Sequence, residues 1–403
     1  MSVWLGRVRV IFAQPGFPGV MASAFALGLG YSFVGPFLSL WGTQEVGMRP
    51  SYFGLFMTLT SLSAILVITL LARWSDTHVP RKVMLLLGGT GGVIGYSVYA
   101  FVREPWILLT VGCSVLAFAA LCFSQLFAFT RERYYHAEIP GLGPGFLMSI
   151  VRVGFSVAWT AGPSIGAWMM VTYGFRGSFL GAALLYFVFL VGVVWFVPYE
   201  RRPAHVRAAV HEPVWRVLTR GEIAAMFVAF LCVYASHTMN AMNLPLMLTQ
   251  DLGATGRDVG IAFGVGPAVE IPLMLWFGLL AGRGYSLRLL RIGGVVTALY
   301  FVLLNQVQAP WHVFIVQALH GMSFAIISNV GIMFFQNLVP GQPGLATAVY
   351  ANAANVGNLV GFFTFGNLVG PLGHRRLFLC SAVLAGAMAV IMFLYRGRAR
   401  TVA

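Results

Sequence analysis

Glu45-Val46-Gly47 followed by Gly54, and Asp251-Leu252-Gly253 followed by Gly260, decide the architecture, because the second set repeats the first at an offset of 206 residues. The same offset carries Ala72 onto Gly278 and Lys82 onto Arg288. Further along, Pro140-Gly141 matches Pro340-Gly341 at an offset of 200, and Gly174, Arg176 and Phe179 match Gly373, Arg375 and Phe378 at 199. Turn-forming glycines that recur in register with acidic and basic neighbours indicate one structural unit present twice, in the same chain direction.

The substance of each unit follows from composition. Of 403 residues, 59% are hydrophobic and 9% charged, whereas about a quarter of a soluble domain is charged. The chain reads as a polytopic all-α membrane protein. Apolar runs near 16–41, 50–73, 81–101, 105–130, 145–173 and 176–197 precede a polar stretch. Runs near 221–248, 257–282, 287–305, 311–339, 343–370 and 375–395 follow it. Each is about the length that crosses 30 Å of hydrocarbon as a helix. Twelve spans are therefore expected: a six-helix bundle over 1–198, a cytoplasmic linker over 199–220 with Pro203 and Pro213, and a second six-helix bundle over 221–403.

A net charge of +14 would point to nucleic acid or an acidic partner in a soluble protein, but here the charges are sorted by side. With the N-terminus in the cytoplasm, 18 of the 25 Lys and Arg residues fall on that side, including Arg73, Arg81, Lys82, Arg201, Arg202 and Arg288, and six on the other. This positive-inside bias places both termini in the cytoplasm of a multi-pass protein. No nucleic-acid partner is expected; the bilayer is. Met1 to Gly16 lacks a signal-peptide pattern, so the first helix is expected to direct insertion. Cys113, Cys122, Cys232 and Cys380 lie in apolar runs at unrelated spacings, so neither disulfides nor a metal site is expected.

Arg152 is the one basic residue left inside a span. Gly264-Val265-Gly266-Pro267-Ala268-Val269-Glu270-Ile271-Pro272 sets a carboxylate in another. A charge at that depth costs about 2.5–3.5 kcal/mol on insertion scales, which makes Glu270 a functional candidate. The prolines and glycines around it are expected to loosen the helix where it lines a cavity. The other reading is a protonated glutamate hydrogen-bonded between helices for packing alone. Arg152 either snorkels to the interface or reaches inward.

Other polar side chains form helical series. His237, Asn240 and Asn243 recur at three-residue spacing, as do Asn352, Asn355 and Asn358. Gln125, Gln317, His320, Asn329 and Gln336 add further groups. Amides donate and accept, which suits the hydroxyls of an uncharged polyhydroxylated ligand, and Trp159 offers a face for a pyranose ring. Singly, each residue is as well explained as glue between helices, and His237 or His320 as a proton carrier. No nucleophile with its base appears, so neither an enzyme nor a bound cofactor is expected.

Two same-direction six-helix halves joined by a cytoplasmic linker fit the major facilitator fold, whose binding site lies between the halves. Leu71-Ala72-Arg73-Trp74-Ser75-Asp76-Thr77-His78-Val79-Pro80-Arg81-Lys82 resembles the cytoplasmic-loop signature of that superfamily. Asp76, Arg81 and Lys82 would form a gate there; a solvated anchor is the plainer reading. Thr77 and Val79-Pro80 depart from the usual pattern, and Gly282 replaces the Asp in the second half. Ala158 to Ala167, with Gly162-Pro163, resembles the Gly-Pro signature of proton-coupled antiporters in the superfamily. It reads either as a helix bend favouring export or as a small-residue seam.

Taken together, several stretches resemble the sugar efflux transporter family of the superfamily. They are Leu71-Ala72-Arg73 with Ser75-Asp76, Gln125 to Ala128 with Arg131-Glu132, Met148 with Arg152, Ser156 to Trp159, and Tyr173-Gly174-Phe175. Thr238-Met239 before Pro245-Leu246, Glu270-Ile271-Pro272, and Phe335-Gln336 with Leu338 complete the set. The resemblance implies proton-driven export of sugars, mono- or disaccharides or glycosides, across the bacterial cell inner membrane; a monomer is expected, although the sequence does not fix the oligomeric state. It implies that Arg152 and Glu270 belong to the transport core, as a pair that breaks during the cycle. Asn243 stands where some relatives carry an acid, so proton coupling would either rest more heavily on Glu270 or be weaker. The alternatives are a multidrug or other small-molecule antiporter on the same fold, favoured by Met239, Met242, Met247 and Phe263, and a sugar uptake symporter.

Overall fold

The computed structural model describes residues 10–77, 79–135, 144–199, 214–339 and 342–395, and every regular element among them is a helix. Nine helical runs among the described residues are long and apolar enough to cross a bilayer. Three of them are over twice the necessary length: Val153–Phe196, Gly256–Gln306 and Leu345–Leu394, of 44, 51 and 50 residues. Each contains one glycine in the left-handed region, Gly174 at φ 69°, Gly284 at φ 90° and Gly373 at φ 75°. A Cβ disfavours that conformation, so glycine marks where a helix can stop and the chain turn. Divided at these glycines, the nine runs give twelve helices among the described residues.

In chain order these are α1 (Phe17–Glu45), α2 (Pro50–Thr77), α3 (Arg81–Phe101), α4 (Pro105–Tyr134), α5 (144–173) and α6 (175–196). The second set is α7 (Gly221–Asp251), α8 (Gly256–Leu280), α9 (Ser286–Gln306), α10 (Pro310–Leu338), α11 (343–372) and α12 (374–394). A short helix, Val214–Leu218, precedes α7. Most of the linker lies outside the described residues.

The repeat persists in backbone detail. α1 ends in a π turn at Trp41–Glu45 and α7 in one at Met247–Asp251, again 206 residues apart. Val46 N donates to Trp41 O at 2.9 Å, and Leu252 N to Met247 O at 3.2 Å. These wide closures satisfy carbonyls that a helix end otherwise leaves unpaired. Left-handed Gly47 and Gly253 follow, at φ 75° and 64°. The π turn carries α1 past the end near residue 41 expected from hydropathy.

α8 starts on a capping box: Thr255 accepts from the Asp258 backbone, and Asp258 Oδ2 accepts from Thr255 N at 2.8 Å. Contrary to the expected loosening, Gly256–Leu280 is one continuous helix through Pro267 and Pro272. Each proline still lacks the N–H that would bond the carbonyl four residues back, at Phe263 and at Ala268.

The chain forms two compact units, Met1–Gly47 with Leu59–Ala209 and Met48–Thr58 with Val210–Ala403. Phe17, Leu27, Tyr186, Phe189 and Val193 lie in the core of the first. Phe230, Ile326, Phe335, Tyr350 and Met388 lie in that of the second. Large apolar side chains also remain outside, among them Leu70, Leu184, Leu279 and Val383, the last 72% exposed. Such surface suits hydrocarbon and would be a liability in water.

Candidate functional site

The second unit holds a buried polar cluster where α7, α9 and α10 meet. Tyr300 Oη lies 3.2 Å from Asn240 Oδ1 and 3.1 Å from Gln317 Oε1. A phenol carries one proton, so Tyr300 donates to one amide oxygen and the other amide turns its NH2 toward the phenol oxygen. The His320 ring lies 5.2 Å from that of Tyr300, and His237 meets His320 edge to face at 5.1 Å. The structure thus gathers His237, Asn240, Gln317 and His320. Tyr300 was not among the residues expected from sequence, although a tyrosine inside an apolar helix needs a partner for its hydroxyl.

Other members of the polar series serve separate contacts. Asn243 Nδ2 donates to His374 O at 2.8 Å and Asn243 Oδ1 meets His374 Nδ1 at 2.8 Å, which ties α7 to the residue after Gly373. Asn329 Nδ2 donates to Met274 O at 2.9 Å, joining α10 to α8. Gln336 Nε2 donates to Thr347 Oγ1 at 3.2 Å, and Thr238 Oγ1 to Asn358 Oδ1 at 2.7 Å. Asn352 and Asn355, three residues apart on α11, are partly buried and make no hydrogen bond with the described residues. Their amides remain able to donate to and accept from a ligand.

Glu270 is partly buried on continuous α8. The side chains of Arg152 and Asp76 lie outside the described residues, as do Pro140-Gly141 and Pro340-Gly341.

In the first unit, Arg81 Nη2 donates to Glu132 Oε1 at 2.9 Å and Nη1 to Gln125 Oε1 at 2.7 Å. Lys82 Nζ donates to Val194 O at 2.8 Å. These contacts join α3 to α4 and α6. Gln125, expected to meet substrate, accepts from Arg81. The reason is local: Gln125 and Glu132 lie seven residues apart on α4, two turns, and so on the face that Arg81 reaches. Trp159 Nε1 is buried without a hydrogen-bond partner among the described residues.

Gly162 and Pro163 lie within α5, and in Pro144–Phe196 the backbone leaves helical torsions at Gly174. A Cβ on Gly162 would fall on Ser32 Oγ, and one on Gly166 would stand 2.8 Å from Phe33 O. Ala158 meets the same helix, since a Cβ on Gly28 would be 2.8 Å from its own. The four-residue series is a seam along which α5 approaches α1.

The sequence matches the Major Facilitator Superfamily over residues 20–239 and again over 226–403. It is 32% identical over 383 residues to a Deinococcus radiodurans protein named for sugar efflux, covering 94% of this chain and 97% of that one. It is 29% identical to sugar efflux transporter A of Dickeya chrysanthemi, covering 93% and 94%. Multidrug resistance protein MdtG of Dickeya zeae is 21% identical, covering 89% and 88%. Among solved structures, the nucleoside transporter NupG superposes with a TM-score of 0.77 at 15% identity, covering 94% of this chain and 99% of that one. The chain belongs to the Major Facilitator Superfamily and, within it, to the sugar efflux transporter family.

Proposed function

We propose that this family member exports sugars or sugar-like glycosides across a bacterial inner membrane, in exchange for protons, by alternating access. The observation that carries the substrate class is full-length similarity, at 32% identity, to a protein named for sugar efflux, against 21% for a multidrug relative. Asn352 and Asn355 support it, as partly buried amides whose hydrogen-bonding capacity the described protein does not use. Trp159 is the proposed stacking face. In this proposal the bundles over 1–198 and 221–403 rock about the 199–220 linker, and both termini stay in the cytoplasm.

Proton coupling is assigned to Glu270. A carboxylate in the run Gly256–Leu280 is tolerable either neutral or paired, so it changes partner when it changes charge. Arg152 is its proposed counter-charge in the deprotonated state, and Asp76 with Arg81 and Lys82 the proposed cytoplasmic gate. The test is movement of labelled lactose in proteoliposomes under an imposed pH gradient. Gradient-driven lactose movement supports the proposal. Movement of an apolar dye in its place would favour the multidrug alternative.

A further inference from the structure

Neither ring nitrogen of His237 has a hydrogen-bond partner among the described residues, and the side chain is 6% exposed. A neutral imidazole brings one donor and one acceptor, and leaving both unmade in a core is costly. A phenyl ring would fill the space without that penalty, so packing does not account for the residue.

His237 is enclosed by Phe301 at 6.1 Å, Phe324 at 5.5 Å and the His320 ring at 5.1 Å. His320 is partly exposed and stacks on Phe324 at 5.9 Å and 16°. The two histidines therefore pair a partly exposed residue with an enclosed one, and the phenyl groups around them can hold a cationic ring through their π systems. Ionisable groups on the packed elements are Tyr300 on α9, His320 on α10, Glu270 on α8, and Cys380 on α12. Tyr234 and Tyr350 lie toward the α7 start, and His374 with Arg375 toward its end.

The pair is also linked to the turn that carries Glu270. A Cβ on Gly266, four residues before Glu270, would stand 3.2 Å from His320 Nδ1, and a Cβ on Gly321 would fall on Gly266 O. α8 and α10 thus touch backbone to backbone beside His320.

We propose that His237 and His320 form a second proton-binding site, holding one proton between them, which loads and unloads only when Glu270 does, so that coupling needs Glu270 and the pair adds a second proton to it. The inference rests on the antiport reading above. A proton from water binds a ring nitrogen of His320, which passes an N–H proton to a His237 nitrogen lone pair once one ring turns toward the other. The pair holds a single proton because two adjacent imidazolium cations repel.

The test is the lactose gradient that a clamped pH gradient of about one unit sustains in proteoliposomes. With two protons per sugar the limit is about 100-fold, and with one about 10-fold. His237→Phe keeps the ring packing and removes both nitrogens; His320→Gln acts at the partly exposed position if the first variant folds poorly. Both are expected to lower the sustained gradient about tenfold, with lactose counterflow retained. An unchanged gradient in both variants overturns the inference and leaves the antiport reading standing. If wild type moves a dye in place of lactose, the same ratio is read with the dye. A wild type that moves neither solute against protons overturns both.

Discussion

Gly162 on α5 lies so close to Ser32 on α1 that a Cβ added to the glycine would fall on the serine hydroxyl. Ser32 Oγ lies 3.0 Å from Leu29 O and 3.4 Å from Ala158 O, which share its one proton, so it cannot move aside without losing that hydrogen bond. Gly162→Val should lower stability by about 1–3 kcal/mol, the usual penalty for overpacking. Thermal unfolding in detergent measures this, with Ile165→Val at an exposed neighbouring position as the control. An unchanged midpoint for Gly162→Val would remove the seam as the reason for the glycine.

Arg81 joins a partly exposed acid to a buried amide, and the two contacts differ in weight. Glu132→Gln removes a charge that is 37% exposed, and exposed pairs contribute about 1 kcal/mol or less. Arg81→Ala withdraws a charged donor from buried Gln125, at about 1–3 kcal/mol. Arg81→Lys should rescue poorly, because an ammonium lacks the planar fork that serves both partners. Equal losses in the Glu132 and Arg81 variants, measured by thermal unfolding, would contradict this ordering.

The fold was readable from sequence because hydropathy marks where helices run and the repeated glycines mark where the backbone turns. Gly47 with Gly253, and Gly174 with Gly373, were paired by sequence position, and both pairs adopt left-handed torsions. The candidate site was less legible. The three-residue series of His237, Asn240 and Asn243 predicts one ligand-facing stripe, yet Asn240 meets Tyr300 while Asn243 meets His374. Spacing fixes which side chains share a face, whereas their partners belong to helices distant in sequence. The prolines of α8 likewise stand inside one continuous helix, which their local sequence pattern does not predict.

Asn243 holds the α11–α12 turn through two contacts with His374, each 2.8 Å. Asn243→Ala should cost about 1–3 kcal/mol and leave the choice among sugars unchanged. Competition between unlabelled sugars and labelled lactose reads the second part; an altered order of inhibition would return Asn243 to the binding site.

Asn352 and Asn355 should behave in the opposite way. With no hydrogen bond to the described protein, their truncation to Ala should leave the unfolding midpoint in place. Each substitution should raise the KM for exchange about tenfold, equivalent to one neutral hydrogen bond of about 1.4 kcal/mol. A fallen midpoint with unchanged KM would make them packing residues.

The central claim concerns Glu270, and the most direct measurement compares wild type with Glu270→Gln in lactose-loaded proteoliposomes, with and without a pH gradient. The amide keeps the size and hydrogen-bonding capacity of the protonated acid and cannot ionise. Gradient-driven movement should be abolished in Glu270→Gln while lactose counterflow without a gradient continues. Gradient-driven movement that survives in Glu270→Gln would contradict proton coupling through this residue.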